Sequence, residues 1–348
     1  MKYNFTLSVW GARYLDVFLK ASLPLIIQQL KKSFYKKNLG KFYIYSNEQG
    51  INLIKKSEIY DQINKIIDLK LLNFMQIKQI KSIDKFDIST ACFVQTYKSI
   101  SKLPNINYVF NLTPETIIYD GFFSSICVRL KKNDLVMMTG LRVNDQELFK
   151  LYKTKISNNL FDYFSRMNLA DDYFNNMHSL AKRHNLYSKL DGFNSFPSQF
   201  HFHLSKNIHV IKAFHLHPVA FKINTSFDYK KINTIDGNFI DRNFTKDLIK
   251  NSVMVNNSFM LELTPVEDGL KNKANFILFI RYFISLFIHS VNKNHLFFFS
   301  KNILIYSKVI IKRYKVLIML MNIIYIPVFL LYYSMHPVRF YYKLKKSI

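Results

Sequence analysis

The chain has 348 residues, room for one large α/β domain or two ordinary ones, and its 49% hydrophobic residues supply a sizeable core. Forty-nine Lys and Arg against 23 Asp and Glu leave a net charge of +26, yet residues 269–348 alone hold thirteen of those cations and no Asp or Glu. Two cysteines, Cys92 and Cys127, exclude a disulfide framework and a cysteine-based metal site and suit a reducing compartment.

In chain order, residues 5–10 read as a short strand closed by Gly11, and residues 14–30 as a helix with apolar side chains at helical spacing. Arg13 and Asp16 break the apolar run, so it does not read as a secretory signal. Residues 41–46, KFYIYS, give a second strand and residues 58–72 a second amphipathic helix. Residues 106–111 and 134–140 give two buried strands with a helix-length segment between them. Strands alternating with helices predict an α/β fold, a mainly parallel central sheet flanked by helices. Residues 145–190 read as strongly helical, and the aromatic and β-branched run 196–223 as a hairpin added to the sheet, turning near 205–207. Residues 257–263 are one further strand, and at Asp268 the composition shifts. The expected division is therefore an α/β domain over 1–268 and a C-terminal apolar, basic helical extension over 269–348.

Within that extension, residues 316–333 carry no charge, just long enough to cross a bilayer, but Asn322 and Pro327 interrupt them. Lys312, Arg313 and Lys315 on one side are matched by Arg339, Lys343, Lys345 and Lys346 on the other. Basic flanks on both sides predict peripheral or monotopic attachment to an anionic membrane, with the domain at the cytoplasmic face. Nucleic acid is not an expected partner, because the cations flank apolar runs instead of interleaving with exposed aromatics.

Several residue types fall where chemistry is done. Glu115 and Asp120, in NLTPETIIYDG, follow the strand ending at Asn111, where open α/β sheets bind ligands; a loop residue and a helix cap are the alternatives. Asp236 precedes Gly237 as a turn former or a ligand-directed carboxylate. Glu262 lies inside a strand, where a carboxylate is costly unless paired or working. Arg13 and Arg142 follow strands and suit phosphate, or are surface arginines. His201, His203, His209, His215 and His217 cluster within seventeen residues, but a turn at 206–207 would set His203 opposite Val210 and His201 opposite Lys212, poor geometry for one shared metal. No Gly-rich dinucleotide fingerprint, Walker loop, nucleophile elbow or kinase set is present.

A collinear set of motifs spans about residues 7–265: Val9-Trp10-Gly11 with Arg13-Tyr14, Phe18-Leu19 and Ser22-Leu23-Pro24, then TPETIIYDGFF, MTGLRV, FNSFPSQFHFHL, FHLHPVAFKI and NTIDGNFI. This set resembles an incompletely characterised bacterial group associated with polysaccharide biosynthesis and related to the GT-A glycosyltransferases. The resemblance implies a GT-A-like fold that transfers sugar from a nucleoside diphosphate sugar to a glycan or lipid-linked acceptor in envelope polysaccharide synthesis. It further implies donor binding by Trp10, Arg13, Arg142, Glu115 and Asp120, with Glu115 and Asp120 organising Mg or Mn. His217, Asp236 and Glu262 compete as general base. Two departures matter: Glu115 stands where the group tends to have Asp, and Asn256-Asn257-Ser258 where it carries acidic residues, which weakens a carboxylate-bound metal. An inactive, membrane-associated binding or scaffold protein of the same pathway is the rival reading.

Overall fold

The run KYNFTLS buries every side chain after Lys2, as a strand covered on both faces requires. It is the first of the strands in the computed structural model, which describes residues 1–31, 37–78, 80, 84–119, 121–146, 173, 176–178, 199–205, 208–230, 232, 234–254, 260–265, 284, 291–306 and 311–335. In chain order these strands are β1 (Lys2–Ser8), β2 (Leu39–Ser46), β3 (Asp68–Asn73), β4 (Asn107–Asn111), β5 (Thr116–Ile118), β6 (Leu135–Met138), β7 (Leu141–Asn144), β8 (Gln199–Ser205), β9 (Ile208–Ala213), β10 (His217–Lys222), β11 (Met260–Thr264) and β12 (Ile303–Tyr306).

Six of them form the central sheet in the order β3-β2-β1-β4-β10-β6. The first four are mutually parallel; β10 runs against both β4 and β6, so β6 points the same way as β1. The mainly parallel sheet expected from the alternation is present. Helices accompany it: α1 (Ala12–Val17), α2 (Leu23–Lys31), α3 (Glu48–Lys56), α4 (Glu58–Asn64), α5 (Lys85–Ile100) and α6 (Phe122–Leu130). A π-helical turn, Phe18–Ser22, joins α1 to α2 inside the stretch expected as one helix. The expected helix over 58–72 is corrected: it stops at Asn64, and Asp68–Asn73 becomes the edge strand β3, paired residue for residue with β2. Its only β-forming cue is the neighbour it pairs with, since DLKLLN carries no β-branched residue.

The core is aromatic. Phe5 stacks on Phe110 at 5.1 Å and meets Phe42 and Phe123 at 5.8 and 5.3 Å, each buried ring contributing about 1.5–3 kcal/mol. Asn4 is the polar exception on β1: its amide donates to Asn107 Oδ1 and the Tyr108 carbonyl, and its Oδ1 accepts from the Lys41 amide, stitching three strands together. Gly40 makes room for it, since a Cβ there would lie 2.3 Å from Asn4 Oδ1.

Two smaller sheets complete the fold. One has the order β5-β11-β7, with β11 antiparallel to β5 and parallel to β7. The other, β12-β9-β8, is antiparallel; the expected hairpin is there, but it forms this sheet instead of joining the central one. Its register places His203 opposite His209 and His201 opposite Ile211, one residue from the expected pairing, because a bulge falls between His203 and Ser205. Helices α7 (Gly237–Asn243) and α8 (Lys246–Asn251) follow β10, and α9 (Lys293–Ser300), α10 (Ile311–Leu320) and α11 (Tyr325–Ser334) accompany β12. The extension expected as helical thus contributes a strand as well. Phe200, Phe202, Val210, Phe214, Phe299 and Val328 form a second core there. The expected helical stretch 145–190 lies outside the described residues apart from 145–146, 173 and 176–178.

Candidate functional site

Reversal of β10 puts its first residue, His217, opposite Met138 at the edge where β1, β2, β3, β4 and β6 all end. Asn111, the last residue of β4, fixes that placement: its amide donates to the Pro218 carbonyl at 2.9 Å and its Oδ1 accepts from the buried Tyr97 hydroxyl at 2.7 Å. Trp10, Asn111 and Gly140 share this edge, as expected from the strand ends.

Three ligand-type side chains meet beside it. His215, His217 and Asp236 each offer one donor atom within 4.8 Å of the others, and His215 Nε2 lies 3.0 Å from Asp236 Oδ2. The two imidazole rings are nearly perpendicular, 83° with centroids 4.8 Å apart. Asp236 occupies the N-cap position of α7 but makes no side-chain cap; its Oδ1 instead accepts from the Thr234 hydroxyl. Gly237, at φ +30, turns the chain between that carboxylate and the helix. Burial works against the ionised Asp236, but the hydrogen bond and charge of His215, then Thr234 and His217, bring its pKa down to about 2. His217 is held low, to about 4, by its depth in the fold, then by His215, with Asp236 opposing and Arg142 adding. The residue is nevertheless exposed to solvent.

The β5-β11-β7 sheet assembles a second group. Glu262 on β11 stands between Thr116 and Arg142 in register, and Arg142 Nε forms an ion pair with Glu262 Oε2 at 3.1 Å. Gly140 leaves space for that carboxylate, since a Cβ there would come within 3.3 Å of Oε2. The Arg142 side chain is 49% exposed. Behind the pair, Glu115 is half-buried with its Oε2 covered and without a hydrogen-bond partner among the described residues. Burial, then repulsion from Glu262, pushes its pKa up to about 7 against the pull of Arg13 and Arg142. Arg13 donates to Asp145 Oδ2 at 2.7 Å and to the Leu263 carbonyl at 3.2 Å, so its fork already holds a carboxylate. Asp120 lies outside the described residues; the helix after it begins at Phe122 with Gly121, not Asp120, at the N-cap position. Toward the expected Mg or Mn ion Glu115 offers a carboxylate with one oxygen covered, and its raised pKa favours the protonated form, which does not ligate. Residues 256–258 also lie outside the described residues.

An open groove of about 860 Å³ continues the same edge beyond β2 and β3, lined by Asn47, Gln49, Asn52, Lys56, Asn73 and Met75 among others. Trp10 packs edge-on against Phe74 at 5.2 Å, next to the groove residues Asn73 and Met75.

No protein-family model and no curated protein matches the chain. Slight likenesses to solved structures exist. The crystal structure of TarS from S. aureus is 9% identical with a TM-score of 0.36, covering 85% of this chain and 41% of that one. TarS 1-349 in complex with UDP-GlcNAc is 12% identical at TM-score 0.27, covering 41% and 36%. Mouse xyloside xylosyltransferase 1 in its apo form is 10% identical at TM-score 0.25, covering 44% and 60%. The chain thus spans less than two thirds of each.

Of the expected site residues, the structure groups His217 with Asp236, and Glu115 with Glu262 and Arg142, while Arg13 is turned to Asp145 and Trp10 to Phe74. Sequence reasoning placed His215 in the histidine cluster and Asn111 at a strand end, but it did not join His215 to Asp236. The His-x-His alternation was visible, but nothing in the spacing tied it to a carboxylate twenty-one residues after His215.

Proposed function

We propose that the chain is a GT-A-like glycosyltransferase that uses a nucleoside diphosphate sugar. The observation that carries this is the shared sheet edge: an amide-lined groove at β2 and β3, and a half-exposed arginine, carboxylates and imidazoles at β10 and the strands beside it. From β2 to β10 is three strand spacings, about 14 Å, a span that suits an extended dinucleotide-like ligand with its base in the groove and its diphosphate toward Arg142. In this reading the acceptor hydroxyl attacks the anomeric carbon, the bond to the diphosphate breaks, Glu262 takes the hydroxyl proton, and Arg142 offsets the charge on the departing diphosphate. The names of the structural neighbours agree with it; its support is the geometry.

The acceptor in this reading is a glycan or lipid-linked precursor of the envelope, met at the cytoplasmic face of an anionic membrane. Tyr314–Ser334 is long and apolar enough to cross a bilayer, but Ile318, Met321, Tyr325 and Leu331 pack along the second core while Val316, Met319, Ile326 and Leu330 are 55–68% exposed. A helix held lengthwise on a sheet supports lying in the interface over spanning it.

Calorimetric titration with a panel of nucleoside diphosphate sugars tests the activity reading. Micromolar binding to one donor, weakened at least tenfold by Arg142→Ala, is expected; no binding by any donor would turn the reading to a non-catalytic protein of the same pathway. Flotation with vesicles of anionic and zwitterionic lipid tests the membrane reading, with glutamates at Val316, Met319, Ile326 and Leu330 expected to abolish association.

A further inference from the structure

We propose that His215, His217 and Asp236 form a three-ligand divalent-cation site whose remaining coordination positions open to solvent, favouring Mn, Co or Zn over Mg. The inference names the ion that would serve the edge read above as a donor site, and its test needs no donor.

Three observations converge on it. First, the donor atoms lie within 4.8 Å of one another. Two ligands on one tetrahedral ion at about 2.0–2.1 Å are about 3.3 Å apart, so modest side-chain rotations close the set, and the His215 to Asp236 separation of 3.0 Å is already there. Second, Asp236 forgoes the role its position offers. An aspartate at an N-cap ordinarily accepts from the helix amides, yet this one turns to His215 and is oriented from behind by Thr234, as a ligating carboxylate is by an outer hydrogen bond. Third, the perpendicular rings let nitrogens of both histidines aim at one point, where stacked rings could not.

The donor set decides the class of ion. Two imidazoles and a carboxylate suit Mn, Fe, Co or Zn, whereas Mg prefers an all-oxygen shell. Three protein ligands leave one position in a tetrahedral shell and three in an octahedral one. Because His217 is exposed, those positions are reachable from solvent, where a phosphate oxygen or an acceptor hydroxyl would complete the shell.

The test is titration of the full chain, stripped with chelator, with Co(II). Stoichiometric binding of one ion per chain is expected, with visible d–d bands, displacement by Zn and no competition by millimolar Mg. His217→Ala and Asp236→Asn should weaken binding at least 100-fold, while Glu115→Gln leaves it unchanged. His217→Cys, which keeps a ligand, should retain the ion and add a thiolate-to-cobalt charge-transfer band, a signature a structural role would not produce. Absence of d–d bands, binding unaltered in both His217→Ala and Asp236→Asn, or loss in Glu115→Gln would overturn the assignment. Cobalt bound without any donor binding would defeat the proposed function and leave this site standing; a donor bound equally well in chelator, with no cobalt bands, would do the reverse.

Discussion

Two histidine pairs lie within seventeen residues, and the fold has given them opposite circumstances. His201 and His209 are both 0% exposed; Nδ1 of one and Nε2 of the other lie 3.0 Å apart, and the buried Tyr173 ring stands 5.9 and 5.4 Å away. His215 and His217 stand at an open sheet edge beside Asp236, with His217 exposed. Burial pushes His201 down to about 3, so the first pair remains a neutral donor and acceptor inside a wall. The second has an anion, room and access. Residue type is shared and spacing is not, eight residues against two; what sets the second pair apart is the carboxylate beside it and the route to water.

That contrast is breakable. His209→Ala should cost the most, about 2–4 kcal/mol, because it empties a filled site and leaves His201 Nδ1 without its partner; a drop in denaturation midpoint with cobalt binding intact is the expected pattern. Loss of cobalt binding in that folded variant would merge the two pairs.

Glu115→Gln comes next. An ordinary glutamate loses its proton near 4.5, whereas Glu115 in the folded chain loses it near 7, so between those values the folded state holds the extra proton and stability falls as pH rises. By pH 8 the penalty is on the order of 3 kcal/mol, and the glutamine variant, spared it, should be the more stable protein there and converge with the parent below pH 4.5. Parallel stability curves from pH 4 to 8 would show that Glu115 titrates normally.

Arg142→Ala should change stability by about 1 kcal/mol or less, since the pair it makes with Glu262 is half-exposed, while donor affinity falls 10- to 100-fold. The smallest stability effect belongs to His217→Ala, within about 0.5 kcal/mol, because the residue is exposed to solvent. A loss above 2 kcal/mol would place His217 with the structural pair.

The fold was legible where hydrophobic pattern and local turn chemistry agreed. KFYIYS and INYVFN announce strands on their own, and β1, β2, β4 and β6 fall within a few residues of expectation. β3 was not legible, because DLKLLN owes its strand conformation to pairing with β2, and neither was the separate sheet of β8 and β9, whose third strand arrives some ninety residues later. The site was half legible. Strand-end logic pointed to Glu115, Arg142 and Asn111, but β10 enters the edge head first, and only the reversed strand brings His217 to the ends of its parallel neighbours. Spacing cannot announce a strand's direction.

The late arrival of β12 has a consequence during synthesis. β9 pairs with β8 at once, but its other edge waits for Ile303–Tyr306 to pair with Ile208–Ile211. At roughly 5–20 residues per second, translation takes roughly 5–20 s to cover that interval. Throughout it the nascent chain carries an apolar strand with one row of amides and carbonyls unpaired, the template on which two chains emerging from one polysome could zip together. Chaperone capture should therefore peak when β9 is out and β12 is not, and a premature stop between β9 and β12 would freeze the chain in that sticky state.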